Sequence, residues 1–125
     1  MGHTAATVAR LIQRSRFTYA NEIELHVGLT EVVATEGLPV RREVRLTERD
    51  RLDLLVELTG PVHLGVEVKI AGANGDVHRQ LVRYAASDQL DELMLVTTLR
   101  RHLVGLPAII GGKPFTPVLL RGGLL

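Results

Sequence analysis

Three stretches of the chain carry residue types that do chemistry together. In VEVKI (66–70) Glu67 and Lys69 stand two apart in an otherwise apolar run, and in RLDLLVEL (51–58) Asp53 interrupts another. Glu22 opens a third, EIELHVGLTEVV. Extended backbone alternates faces, so Glu67 and Lys69 share one face while Val66, Val68 and Ile70 take the other. A turn over Thr59-Gly60-Pro61, centred on Gly60, sets Leu58 opposite Val62, Glu57 opposite His63 and Asp53 opposite Glu67. Opposed residues have Cβ atoms about 4.5–5.5 Å apart, close enough for two carboxylates to repel. One of them stays protonated, or a cation such as Lys69 or Arg51 compensates, or a divalent metal with oxygen ligands lies between them. The residue types leave these three resolutions open.

The elements that must hold these groups follow from periodicity. Residues 4–15 predict a short helix with Val8, Leu11 and Ile12 inward, and 21–36 a stronger one opened by Asn21, with Gly37 and Pro39 beyond its end. Asn21 and Glu24 have capping-box spacing. On the second helix Glu22, Leu25, His26, Leu29, Val32 and Val33 fall on one face and Glu24 on the opposite one, so Glu22 points toward the sheet. Three strands follow, with Val40, Val44 and Leu46 sharing one parity, then Leu52, Leu54, Val56 and Leu58, then Leu64, Val66, Val68 and Ile70. Asp76 is expected to cap a helix over 77–87 whose inward stripe is Val77, Leu81 and Tyr84. Gln80 sits one turn before Tyr84, and Arg83 and Arg79 lie further round. ELMLVTT (92–98) suits a central strand covered on both faces. A helical turn at 100–104 and one or two edge strands in the Gly- and Pro-rich tail complete a mixed α/β chain.

With 125 residues, 46% of them hydrophobic, the chain fits one domain over 1–125. It divides into a basic N-terminal helix at 1–19 (Arg10, Arg14 and Arg16, with no acid), a core at 20–98 and a C-terminal strand extension at 99–125. The absence of cysteine excludes disulfides and thiolate metal sites. No apolar run approaches the roughly 20 residues of a membrane helix and no secretory h-region is visible, so the expectation is a cytoplasmic protein with no membrane partner. Net charge is only +1. Of the 15 cations only Lys69 and Lys113 are lysines. A GC-rich coding sequence gives the same bias, but a lysine retained beside a glutamate hints at specific chemistry, and Arg suits phosphate contacts.

The ordered set of Glu22 in a helix, Asp53 in a strand, Glu67-Val68-Lys69 in the next strand and Gln80 with Tyr84 in the next helix resembles the PD-(D/E)XK nuclease superfamily. The likeness covers about residues 20–98 and is greatest to the small stand-alone members, archaeal-type Holliday junction resolvases and virus-type replication-repair nucleases. Leu52 stands where the motif's name has proline, a position often changed in that superfamily. The resemblance implies a restriction-endonuclease-like α-β-β-β-α-β core, a mixed sheet flanked by helices. It implies that Asp53, Glu67 and the Val68 carbonyl ligate Mg²⁺ or Mn²⁺, that Lys69 orients and activates the attacking water, and that Glu22 binds the metal directly or through water. It also implies that Gln80 and Tyr84 lie near the substrate phosphate. Arg79 and Arg83 are candidate nucleic-acid contacts from their place on the helix.

The expected activity is Mg²⁺-dependent endonucleolytic hydrolysis of DNA, with branched or junction DNA in repair or recombination as the narrower expectation. Symmetric cutting of a junction would require a homodimer, for which the apolar stretch 118–125 is the candidate interface. The alternatives are an inactive nucleic-acid-binding module of the same fold and an interaction or assembly protein that meets no nucleic acid. Nothing in the residues separates DNA from RNA, since only 3% are aromatic and available to stack on unpaired bases.

Overall fold

Thr4 and Thr7 begin the chain's regular structure by capping each other. The Thr4 hydroxyl accepts the Thr7 N–H and the Thr7 hydroxyl accepts the Thr4 N–H, which satisfies two of the donors that a helix start leaves open. The computed structural model describes residues 2–121. Helix α1 (Ala5–Arg14) and helix α2 (Glu22–Thr35) are followed by strands β1 (Val40–Arg45), β2 (Arg51–Leu58) and β3 (Val62–Lys69). Helix α3 (Asn74–Ala85), strand β4 (Glu92–Thr97), a 3₁₀ turn at Arg100–His102, β5 (Ile109–Ile110) and β6 (Lys113–Leu119) complete the order. At the start of α2, Asn21 Oδ1 accepts the Glu24 N–H at 2.9 Å, while Glu24 returns its carboxylate to the Ala20 N–H at 2.8 Å. The reciprocal bond thus lands one residue earlier than in a regular capping box.

The six strands form one mixed sheet in the order β1-β2-β3-β4-β6-β5. Strands β1, β2 and β3 pair antiparallel, β3–β4 and β4–β6 pair parallel, and β5–β6 is an antiparallel hairpin. The β2–β3 register is the one the Thr-Gly-Pro turn dictates, with Leu58 opposite Val62 and Glu57 opposite His63. Gly60 takes a φ of 143°, a conformation side-chain-bearing residues rarely adopt, which fits its place at the centre of that turn.

One hydrophobic cluster fills each face of the sheet. Val8 and Ile12 of α1 and Leu25, Leu29 and Val33 of α2 pack on Leu54, Val56, Val66, Val68 and Val96. Val77, Leu81 and Tyr84 of α3 pack on Leu52, Leu55, Leu93 and Leu95. Leu25 and Leu29 are fully buried. At about 1.5–3 kcal/mol for each such side chain, they fix the roll of α2 and with it the direction of Glu22 and His26.

Three expectations are corrected here. Leu52 and Leu54 share parity but lie on opposite sides of the sheet, as do Val40 and Val44 of β1. The switch falls where Glu43 and Asp53 would be the next opposed pair and the ladder skips a rung. Glu43 there has a φ of 51°, the left-handed conformation, at a cost on the order of 1 kcal/mol for a residue with a side chain. Gly65 makes room for the displaced Leu52, since a Cβ on Gly65 would meet Leu90 at 2.8 Å and Leu52 at 3.2 Å.

The second correction concerns α3, which starts at Asn74 after an Ala73 cap that makes no side-chain bond. Asp76 sits in the first helical turn, paired with Arg79, and is not the cap. The third concerns the tail. β5 is an edge strand as expected, but β6 is not: it pairs with both β4 and β5, and its Val118 together with the following Leu120 is buried in the core. These two side chains are therefore not available as a dimer interface; of the rest of that proposed stretch, Leu119 is half-buried, Arg121 is exposed, and residues 122–125 lie outside the described residues.

Candidate metal and hydrolytic site

Asp53, Glu67, Lys69 and Glu22 come together where the start of β2, the end of β3 and the first turn of α2 meet. Asp53 Oδ2 accepts the Val68 N–H at 2.7 Å, which takes the place of the backbone rung that would follow Leu54–Val66. Glu67 is 3% exposed, and its Oε2 lies 3.5 Å from Lys69 Nζ. Lys69 itself is part-exposed, so its ammonium reaches solvent from beside a buried acid. Glu22 Oε2 accepts the Ile70 N–H at 3.3 Å, tying the first turn of α2 to the end of β3.

The two carboxyls do not ionise as ordinary ones do. Burial pushes Glu67 well above the usual glutamate range, and the neighbouring charge of Asp53 pushes it further against the opposing pull of Lys69. Burial also raises Asp53, while the Val68 amide and the His26 ring oppose the rise. Both carboxyls are thus held above their ordinary range, Glu67 the more strongly, and Lys69 partly offsets the rise at Glu67. Among the described residues, three buried side-chain polar atoms have no hydrogen-bond partner: Glu67 Oε1, His26 Nε2 and Tyr19 Oη. Two of the three belong to this site. An unpartnered buried polar atom costs on the order of 1–3 kcal/mol, and a cation would remove that cost for Glu67.

His26 is the residue that sequence reasoning passed over. It is 6% exposed and stands one turn after Glu22 on the same face of α2. Its Nε2 lies 3.5 Å from Asp53 Oδ2. One ligand atom each from Glu22, His26 and Asp53 lie within 4.8 Å of one another. The available signal was the i, i+4 spacing from Glu22, hidden because His26 also fits the apolar stripe.

Residues of α3 are placed differently from what a substrate-contact role requires. Tyr84 is fully buried and donates its hydroxyl to the Arg51 carbonyl at 3.1 Å. Its phenol is raised by burial, and by the charges of Glu67 and Asp53. It braces the start of β2 from behind the acids and has no surface to offer a nucleic acid, which corrects that expectation. Gln80 is half-buried one turn earlier. Arg83 is held by Asp50, Nε to Oδ1 at 3.0 Å, and Arg79 is exposed and paired with Asp76 within the helix.

A further brace lies at the other end of the site. The ring of buried His102 is 3.0 Å from Thr97 Oγ1 through Nδ1 and 3.0 Å from the Gly72 carbonyl through Nε2. A carbonyl can only accept, so Nε2 donates to Gly72 and Nδ1 accepts from the Thr97 hydroxyl. The loop that follows Lys69 is thereby pinned to the end of β4.

Compared with known proteins, the chain matches no family model, no curated protein and no solved structure. Among the described residues no helix is long and apolar enough to cross a membrane. The class that fold and site define is, among the described residues, an α/β chain with a six-stranded mixed sheet, three helices and a group of acids, Glu67 buried and Asp53 and Glu22 half-buried, beside a lysine.

Proposed function

We propose that the protein is a metal-dependent phosphodiester hydrolase acting on DNA, with the restriction-endonuclease-like arrangement of the PD-(D/E)XK nucleases. The observation that carries this reading is the Asp53–Glu67–Lys69 cluster. It is a buried carboxyl (Glu67) and a half-buried one (Asp53) on adjacent strands, the first with an unpartnered oxygen, the second bonded to the amide between Glu67 and Lys69, and a part-exposed ammonium beside them. The α2-β1-β2-β3-α3-β4 order, with an antiparallel three-strand unit and a parallel β3–β4 pair, supports the same reading.

The donor set fits a divalent cation with a preference for oxygen, and Asp53, Glu67 and the Val68 carbonyl are the groups that would hold it, with Glu22 alongside. Such a cation would supply neutralisation of the phosphate charge and activation of water. The chain's own residues do the rest. Lys69 holds the attacking water and, as an ammonium, steadies the negative charge that develops on the phosphate oxygens. Tyr84 and the Val68 amide hold Arg51–Asp53 in place. Exposed Arg79 and half-buried Gln80 are α3 groups left with surface to meet a sugar-phosphate backbone. Two copies acting symmetrically would suit a branched substrate.

The test is incubation with plasmid, linear and branched DNA, and with RNA, in Mg²⁺, Mn²⁺ or EDTA. Metal-dependent cleavage of DNA supports the reading. Binding without cleavage in any metal would leave a nucleic-acid-binding module, and no binding at all would leave an interaction protein.

A further inference from the structure

We propose that His26, with Glu22 and Asp53, forms a second cation position that takes a first-row transition-metal ion in preference to Mg²⁺. It shares Asp53 with the hydrolytic site above but does not depend on that site cutting DNA. The observation behind it is the imidazole itself. His26 is more than nine-tenths buried, and its Nε2 has no hydrogen-bond partner among the described residues. That nitrogen is aimed at Asp53 Oδ2 from 3.5 Å, long for a hydrogen bond. Ligands about 2.1 Å from a tetrahedral ion stand about 3.4 Å apart, so the pair already has the separation of two ligands on one ion. The Glu22 carboxylate completes a triad whose ligand atoms lie within 4.8 Å of one another.

The remaining contacts of the triad leave room for an ion. Glu22 Oε2 has only the long 3.3 Å bond from Ile70 N–H. Asp53 Oδ2 takes one N–H, from Val68, and a carboxylate has about four acceptor positions. Glu67, whose Oε1 is also buried and unpartnered, is paired with Lys69 and is not one of the three groups whose ligand atoms lie within 4.8 Å of one another. Asp53 is therefore shared by the all-oxygen position proposed with Glu67 and a mixed nitrogen–oxygen position with His26. Imidazole favours Zn²⁺, Ni²⁺ and Co²⁺, while carboxylate, carbonyl and water favour Mg²⁺ and Mn²⁺. Two positions of different ligand type on one bridging aspartate would give the protein different affinities for the two classes of ion.

The experiment is a Co²⁺ titration followed by the ion's visible absorption and by calorimetry, with Mg²⁺ titrated in parallel. It uses the full chain as wild type, His26→Gln and Glu22→Gln. The expected result is Co²⁺ bound more tightly than Mg²⁺ by the wild type, with absorption typical of nitrogen ligation. His26→Gln should weaken Co²⁺ by at least about tenfold and leave Mg²⁺ affinity within about twofold. Should His26→Gln fail to fold, Glu22→Gln, a half-buried change in the first turn of α2, carries the same expectation for Co²⁺. Wild-type Co²⁺ affinity in the variant that folds, or Co²⁺ bound no better than Mg²⁺ by the wild type, overturns the proposal. Mg²⁺-supported DNA cleavage beside unchanged Co²⁺ affinity rejects this site alone. His26-dependent Co²⁺ binding without cleavage of any nucleic acid rejects the nuclease reading and leaves this site standing.

Discussion

The carboxylate of Asp53 accepts the backbone N–H of Val68 at 2.7 Å, so an acid of β2 is bonded between Glu67 and Lys69 of β3. The bond does two things at once. It closes the sheet where the regular ladder stops, and it holds half-buried Asp53 beside buried Glu67.

Two substitutions separate those roles. Asp53→Ala strands the buried Val68 N–H and should destabilise the protein by about 1–3 kcal/mol. Asp53→Asn keeps an acceptor and removes a charge, so it should melt near or above the wild type without metal. Both should lose the stabilisation that Mg²⁺ or Mn²⁺ gives the wild type. Melting curves with and without metal check all three statements.

The pH dependence of stability follows from Glu67 and Asp53. Their folded-state values are raised above the ordinary 4.5 and 3.8. A carboxyl raised on folding contributes stability that is full below its unfolded value and is lost as pH rises through the folded one. The metal-free protein should therefore lose this contribution as pH climbs from about 4.5 upward through the raised value of Glu67. Glu67→Gln should lack that decline, and saturating Mn²⁺ should flatten it in the wild type. Denaturation midpoints measured across this range in all three samples provide the check.

The sequence made the central pair legible because a turn fixes a register. Once Gly60 is the centre, Asp53 is expected across from Glu67; the ladder keeps that register as far as Leu54 opposite Val66, and the Asp53–Val68 bond closes the sheet beyond it. The helix stripe likewise aimed Glu22 at the sheet, since Leu25 and Leu29 decide the roll of α2. Strict alternation then failed at Leu52, because it assumes a uniform strand and Glu43 breaks the β1 backbone with a left-handed residue. His26 was invisible as a site residue because periodicity cannot distinguish a packed imidazole from an unpartnered one. Tyr84 was legible as inward-facing, yet a substrate role also drew it outward, and burial decides for the first. β6 was misplaced because Pro114, Pro117 and the glycines just before it suggest an edge, while its parallel pairing with β4 has no turn between the two strands to announce it.

Tyr84→Phe tests the bracing role directly. Loss of the hydroxyl leaves the Arg51 carbonyl without that donor and should cost about 0.5–1.5 kcal/mol, or a few degrees in melting temperature. Because the side chain is fully buried, DNA affinity should not change. A large loss of binding in Tyr84→Phe, measured by fluorescence anisotropy in EDTA, would count against its placement behind the acids.

Asp53, Glu67 and Lys69 are proposed to hydrolyse a phosphodiester together. The most direct test of this proposal is single-turnover cleavage of branched and linear DNA in Mg²⁺ by the wild type, Asp53→Asn and Lys69→Met, with DNA affinity measured alongside. The expected result is cleavage by the wild type, a loss on the order of 10²–10³-fold or more in both variants, and DNA affinity largely retained. Cleavage that persists in Asp53→Asn, or that proceeds equally well in EDTA, would contradict it.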